Sequence, residues 1–162
     1  MGSGCFWGRE YHLRQLPGVL TTRTGFAGGH LPYPTYQQVC TKTTGHAEVV
    51  EVVYDERRLS TRQLLTEFFT LHDATVDRRA GGGQYRSAVY LPADAMGAVE
   101  RLGEVQALIE ELRVAGFAVT TETGTVPVLY PAGNRHQQYC SARGIVPKKS
   151  DSGEIRRILT ER

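Results

Sequence analysis

The strongest constraint on the fold is the run His46-Ala47-Glu48-Val49-Val50-Glu51-Val52-Val53-Tyr54. Four valines in nine residues favour a pleated, half-buried strand over a helix, because β-branched side chains lose rotamer freedom against a helical turn. The run predicts a strand over 46–54. On a strand, Glu48 shares a face with Val50 and Val52, while Val49, Glu51 and Val53 take the other. A carboxyl on an apolar face is desolvated, its pKa rises, and it can stay protonated near neutral pH as a general acid. The bland alternative is an exposed strand end with Glu48 in water.

Around that strand, apolar periodicity alternates between two kinds of element. Arg9 to Leu16 reads as helix, with Phe6, Leu13 and Leu16 on one face and Pro17-Gly18 as the stop. Val19 to Phe26 reads as a strand. Ala27 to Gly45 is a long loop with a helical turn over Thr35 to Cys40. Ser60 and Gln63 form a capping-box pattern ahead of a helix that buries Leu64, Leu65, Phe68 and Phe69. Gln84 to Leu91 is expected to be a strand. Asp94 to Ala115 is expected to be a helix with Val99, Leu102, Val105, Ile109 and Leu112 inward and Gly116 just past its end. Phe117 to Glu122 and Val126 to Tyr130 read as short strands, and His136 to Arg143 as a short helix. The segment 144–162 is polar, with one weak helical run from Glu154 to Leu159. Alternating strands and helices in 162 residues predict an α/β (α+β) two-layer sandwich, a mixed sheet covered by helices in a single domain. The division expected is a catalytic domain over 1–143 and a polar tail over 144–162.

The candidate nucleophile stands near the start, in Gly4-Cys5-Phe6-Trp7-Gly8. Cys5 falls at or just before the first helical turn. Unpaired backbone N–H groups and the positive end of the helix dipole favour an anion there, so a lowered thiol pKa is expected. Gly4 permits close approach of another molecule, and Phe6 and Trp7 can wall an apolar pocket beside the sulfur. The alternative is a buried core cysteine in an aromatic cluster.

Further polar groups recur near glycine-rich bends: Tyr36 in Pro34-Thr35-Tyr36, Tyr85 in Gln84-Tyr85-Arg86-Ser87, and His136 in His136-Gln137-Gln138-Tyr139-Cys140. Tyr36 and Tyr85 can each donate a hydrogen bond to a polar oxygen. His136 reads as a base, a ligand or a structural residue. Cys40 reads as a buried or idle thiol, and Cys140 as a thiol able to reach a catalytic one. Three cysteines without a CxxC do not make a disulfide framework and fit a reducing compartment, hence a cytoplasmic location. No signal peptide is read before Cys5, and a strand ahead of Met1 is a possible omission. A net charge of +2 gives no argument for nucleic acid or membrane, and no apolar run approaches the ~20 residues of a spanning helix. The cysteines and histidines lack zinc-type spacing, so no metal is expected.

These motifs together resemble the peptide methionine sulfoxide reductases of the A type. The resemblance runs from Gly4 to Cys140. It rests on Gly-Cys-Phe-Trp-Gly at 4–8, Gly25-Phe26-Ala27-Gly28-Gly29-His30, Pro34-Thr35-Tyr36, Val39-Cys40 and Thr44-Gly45-His46-Ala47-Glu48-Val49. It continues through His72-Asp73, Gln84-Tyr85-Arg86-Ser87 and His136-Gln137-Gln138-Tyr139. The resemblance implies a repair enzyme for oxidised methionine, with methionine-S-sulfoxide as substrate, free or in proteins. Cys5 would be the nucleophile, Glu48 the acid, and Tyr36 and Tyr85 the hydrogen-bond donors to the sulfoxide oxygen. Phe6, Trp7 and His136 would form the substrate pocket. Cys5 would pass through a sulfenic acid to a disulfide, reduced by thioredoxin or, in vitro, dithiothreitol. No cofactor is implied, and a monomer is expected.

Three departures from the family pattern qualify this. The loop Arg79-Ala80-Gly81-Gly82-Gly83 holds no carboxylate where the family has a substrate-binding Asp; Asp77 is a distant stand-in. Gly133-Asn134-Arg135 replaces a commonly acidic segment. The resolving cysteines of the family usually lie in a Gly-rich tail, and here Cys140 is the only late cysteine, so the resolving role is assigned to it. The first two departures remove negative charge and predict tolerance of acidic neighbours in the substrate. Two other classes compete: a cysteine hydrolase using Cys5 with His136 as base, and a binding module that keeps the pocket without turnover.

Overall fold

A computed structural model describes residues 1–161. In chain order the elements are α1 (Phe6–Arg14), β1 (Val19–Ala27), α2 (Tyr36–Cys40), β2 (Ala47–Tyr54), α3 (Thr61–Thr70), β3 (Ala88–Pro92), α4 (Ala98–Val114), β4 (Glu122–Val126), β5 (Tyr130–Pro131), α5 (Tyr139–Ala142) and α6 (Gly153–Thr160). The class is α/β, with mixed sheets and helices in one small domain.

β1 lies between β2 and β5, antiparallel to both, with Phe26 opposite Glu48 and Thr24 opposite Val50. β3 and β4 form a second, parallel pair joined through α4, as a parallel pair requires a crossover. Met1 and Gly2 connect the two sheets. Met1 exchanges hydrogen bonds with Val50 (Val50 N–H to Met1 O, 2.8 Å; Met1 amine to Val50 O, 2.9 Å), and Gly2 does so with Ala88 (2.7 and 2.8 Å). Beyond Met1 the sheets part around a cavity of about 390 Å³, lined by Val50, Val52, Leu64, Leu65, Val89 and Leu91 among others.

The capping box at Ser60 and Gln63 forms as the sequence predicts, and Leu64, Leu65, Phe68 and Phe69 are buried. Two apolar clusters hold the layers together. One joins α3, α4 and α6 through Phe68, Phe69, Val105, Leu108, Leu112 and Leu159. The other joins α1 to β1 and β2 through Phe6, Leu13, Phe26 and Val50. Segment 144–162 contributes to the first cluster: α6 buries Ile155 and Leu159, and Arg156 pairs with Glu67 of α3.

Five elements differ from the sequence expectation, the first being Val126 to Tyr130, of which only the end residues are strand: Val126 closes β4 and Tyr130 opens β5. α4 starts at Ala98 after Gly97 (φ 78°), and Val99 is 79% exposed. At about 100° per residue, Val99 lies about 240° around the helix from Val105, so it cannot share the buried face, which is Ala98, Val105, Leu108, Ile109 and Leu112. Gln84 to Ser87 is turn and irregular backbone rather than strand, with the Gln84 head buried against Glu48 of β2 and the Arg86 head against the Gly83 carbonyl. Phe117 to Thr121 is extended but pairs with a loop, Thr120 N–H donating to Ala74 O (2.8 Å), and the strand begins at Glu122. The helix expected over His136 to Arg143 splits: a 3-10 turn at Asn134–His136, then α5, with Gln138 between them at φ 48°.

Candidate active site

Cys5 is the N-cap of α1, with extended backbone (φ −60°, ψ 124°) and no capping bond from its side chain. The thiol is exposed. Burial of its surroundings nevertheless pushes its pKa up; the N–H groups of Trp7 and Gly8 pull down but do not win, and Glu48 and Cys140 add to the rise. The expectation of a lowered pKa from the helix start is therefore overturned for the resting protein: desolvation outweighs the two donors.

Glu48 enters from β2, 1% exposed. Phe6 N–H donates to its Oε1 at 3.2 Å, and Gln84 Nε2 donates to its Oε2 at 2.5 Å. Burial raises its pKa, against the pull of those two donors. The protonated carboxyl expected from the sequence has its physical basis here. Gln84 had not been singled out for chemistry; the signal available was a polar residue directly after three glycines.

The two tyrosines reach the same place from different loops. Tyr36 opens α2, whose N-terminus is fixed by a capping box between Thr35 and Gln38. Its ring lies 4.2 Å from the His136 ring, centroid to centroid. Tyr85 follows the triple glycine and is partly exposed. Burial raises both phenol pKa values, so both stay protonated donors at neutral pH. Cys5, Glu48 and Cys40 all contribute to the rise at Tyr85, which marks their proximity.

Phe6 is buried and packs on Phe26, Tyr36 and His136 with centroids 5.7–6.3 Å apart, forming a floor rather than an open wall. Trp7 stacks on Tyr139 at 3.8 Å and 5°. Its indole N–H donates to His136 Nδ1 at 3.1 Å. That bond places the proton of a neutral His136 on Nε2. Burial, then Arg135 and Arg143, lower its pKa and keep it neutral. No hydrogen bond joins His136 to Cys5 among the described residues, and the Nδ1 lone pair is already taken. His136 is thus a structural partner of Trp7, and the hydrolase arrangement lacks its base.

Cys140 is buried on α5. Burial raises its pKa, and its charge is felt at Cys5. Glu10, fully buried on α1, secures this region: Gln138 N–H donates to its Oε1 at 2.5 Å and Thr22 Oγ1 to its Oε2 at 2.8 Å. Sequence reading missed Glu10, since a carboxylate on a helix normally faces water. Gln137 is a second anchor, with Thr24 N–H donating to its Oε1 and its Nε2 donating to Thr24 O and Ala132 O, all at 2.9 Å. Cys40 corrects another expectation. It is neither buried nor remote: the thiol is exposed, Gln84 Nε2 lies 3.5 Å from its Sγ, and after burial it is the main cause of the raised Tyr36 pKa. All three thiols are free.

Among the described residues, no group of three or more His, Cys, Asp or Glu side chains is placed to hold a metal ion. No helix among them is long and apolar enough to cross a membrane. The arrangement brings an exposed thiol at a helix start, a desolvated carboxyl and two phenol donors together around an aromatic floor.

Comparison with known proteins gives the family of the chain. The profile of the family described as peptide methionine sulfoxide reductase matches residues 1–157. The chain is similar to the peptide methionine sulfoxide reductase MsrA of Xylella fastidiosa (strain M12), 46% identical over 143 residues, covering 85% of this chain and 66% of that protein. It is 46% identical over 142 residues to the MsrA of Pseudomonas aeruginosa (strain LESB58), with the same coverage. The match therefore spans just under two thirds of these relatives' length. Among solved structures, methionine sulfoxide reductase A of Corynebacterium diphtheriae superposes with a TM-score of 0.77 at 37% identity, covering 88% of this chain and 73% of that one. Reduced Mxr1 from Saccharomyces cerevisiae gives 0.78 at 28%, covering 88% and 83%. The chain belongs to the peptide methionine sulfoxide reductase family.

Proposed function

We propose that the chain reduces methionine-S-sulfoxide, free or in proteins, to methionine by thiol chemistry at Cys5. The observation that carries this reading is the desolvated Glu48 carboxyl, bonded to the N–H of Phe6 directly after Cys5. Glu48 raises the cost of ionising Cys5, so the two do not carry charge together cheaply, and the reactive form is a Cys5 thiolate formed beside a protonated Glu48. That state suits the first step. Cys5 Sγ attacks the sulfoxide sulfur while Glu48 gives its proton to the oxygen, and Tyr36 and Tyr85 donate hydrogen bonds to that oxygen. The oxygen passes to Cys5, which is oxidised by two electrons to a sulfenic acid, and methionine leaves with those electrons. Trp7 and Phe6 supply apolar surface for the S-methyl group.

Cys140 then attacks the sulfenic sulfur, water leaves, and a Cys5–Cys140 disulfide forms. An external dithiol of the thioredoxin kind reduces it, so no bound cofactor is required. The free cysteines suit a reducing, cytoplasm-like compartment.

The test is mass spectrometry of thiol-labelled protein after one equivalent of methionine-S-sulfoxide without reductant. Wild type is expected to yield methionine and a Cys5–Cys140 disulfide, and Cys5→Ser neither. Methionine with Cys140 still free would move the resolving role to Cys40 or an external thiol. No methionine with Cys5 still a thiol would defeat the reductase reading and favour a binding module.

A further inference from the structure

Two guanidinium groups converge beside Cys5, and neither forms an ion pair among the described residues. A Cβ placed on Gly4 would lie 3.8 Å from Arg78 Nη1 and 3.9 Å from Arg9 Nη2, so both heads reach the space directly above the residue before Cys5. Arg9 is partly buried, and its one hydrogen bond runs from Nε to Ser3 O at 2.7 Å. Its terminal nitrogens and those of Arg78 enter no ion pair among the described residues, whereas neighbouring Arg79 is bound to Asp77 at 2.7 Å. Burial lowers the Arg9 pKa, Cys5 pulls it back up, and the nearby Arg78 adds a smaller lowering.

The space they share is a cavity of about 210 Å³ lined by Ser3, Arg9, His72, Asp73, Arg78 and Tyr85 among others. His72 adds no positive charge: burial pushes its pKa down to about 4, and Nε2 lies 2.7 Å from Ser87 Oγ. Asp73 is the one carboxylate there, and its Oδ1 is engaged by Thr75 N–H (3.0 Å) and Thr75 Oγ1 (2.6 Å). A second cavity of about 270 Å³ lies on the other side of Arg78 and Tyr85 and adds Lys42. Tyr85 thus stands between the sulfoxide oxygen's expected position and a cationic surface.

The Arg9 head is part-buried and the Arg78 head exposed, and a guanidinium fork is matched best by a carboxylate, which can accept two parallel N–H bonds from it. We propose that Arg9 and Arg78 form a carboxylate-binding subsite that selects methionine sulfoxide carrying an acidic group next to it. This rests on the reductase reading and names its substrate class. The source of the carboxylate is an Asp or Glu adjacent to the oxidised methionine, since consecutive Cα atoms are about 3.8 Å apart, or the α-carboxylate of the free amino acid.

The test compares kcat/KM with dithiothreitol for blocked peptides Asp-Met(O), Asn-Met(O) and Lys-Met(O), and for free methionine-S-sulfoxide against its amide. Wild type, Arg78→Ala and Arg78→Lys are used, because Arg78 is exposed and its replacement leaves the core intact. The expected Asp-to-Asn ratio is about ten in wild type, the worth of one charge-assisted hydrogen bond. It collapses toward one in Arg78→Ala, is partly restored in Arg78→Lys, and shrinks with added salt. A ratio that changes only for the free acid against its amide assigns the subsite to the α-carboxylate. Ratios near one for both pairs in wild type, with Asn-Met(O) turned over, overturn the subsite and leave the reductase standing. No turnover of Asn-Met(O) removes both.

Discussion

Glu48 Oε2 accepts the Gln84 side-chain amide at 2.5 Å, while its Oε1 accepts the Phe6 N–H at 3.2 Å. The acid is thus positioned by a loop 36 residues away and by the helix that carries the nucleophile. Both donors favour its ionised form, and burial overrides them.

Removing one donor has a predictable sign. In Gln84→Leu the ionised form loses a bond, so the Glu48 pKa rises further. The alkaline limb of the kcat–pH profile, where the acid is lost, moves to higher pH. Glu48→Gln is expected to lower kcat about 10²–10⁴-fold and to remove that limb. A profile unchanged in Gln84→Leu would detach the limb from Glu48.

The resting Cys5 thiol lies above its usual pKa. The rate of site-resolved alkylation by iodoacetamide, read by mass spectrometry, is expected to keep climbing with pH past 9.0, the ordinary value, before it levels off. Fast Cys5 labelling at pH 6 would show that the helix-start donors outweigh burial after all.

Glu10 accepts two hydrogen bonds at full burial. Glu10→Ala leaves Gln138 N–H and Thr22 Oγ1, both of them part-buried, without that partner, at about 0.5–1.5 kcal/mol for each lost bond. Urea denaturation should show a loss of roughly 1–3 kcal/mol, and slower Cys5–Cys140 disulfide formation should accompany it as α5 loosens.

The Met1 amine is buried between the sheets, and burial pushes its pKa down from 8.0 to about 5. Between these values the unfolded chain holds a proton that the folded chain does not. Stability from this group therefore rises as pH rises from 5 to 8. His12, His46, His72 and His136 act in the same direction at lower pH, and Glu48 acts oppositely above 4.5. Comparing the chain with an N-acetylated form cancels those groups. The acetylated chain should melt higher at pH 6, with the two converging above pH 8; equal Tm values at pH 6 would place the amine in water.

Deleting 153–162 removes Ile155 and Leu159 from the α3–α4 cluster and Arg156 from Glu67. At about 1.5–3 kcal/mol per buried aliphatic side chain, the expected loss is roughly 3–6 kcal/mol. An unchanged denaturation midpoint would make α6 dispensable.

The sequence by itself determined the local facts. The valine run had to be a strand and placed Glu48 on an apolar face; Ser60 with Gln63 started a helix; Cys5 fell at a helix start; and the order of the motifs pointed to the family. These are readable because period, caps and turns are set within a few residues. Only the tertiary structure decided what those faces meet. It brought Gln84 to Glu48, set the Trp7 indole on His136 across 129 residues, placed Cys40 at the site, and aimed Arg9 and Arg78 at one point above Gly4. It also decided the sign of the Cys5 shift, since desolvation depends on atoms from distant segments while the helix-start donors are local. A one-dimensional pattern fixes which way a side chain points along its own element, and the packing of elements fixes its neighbours, its dielectric surroundings and its charge state.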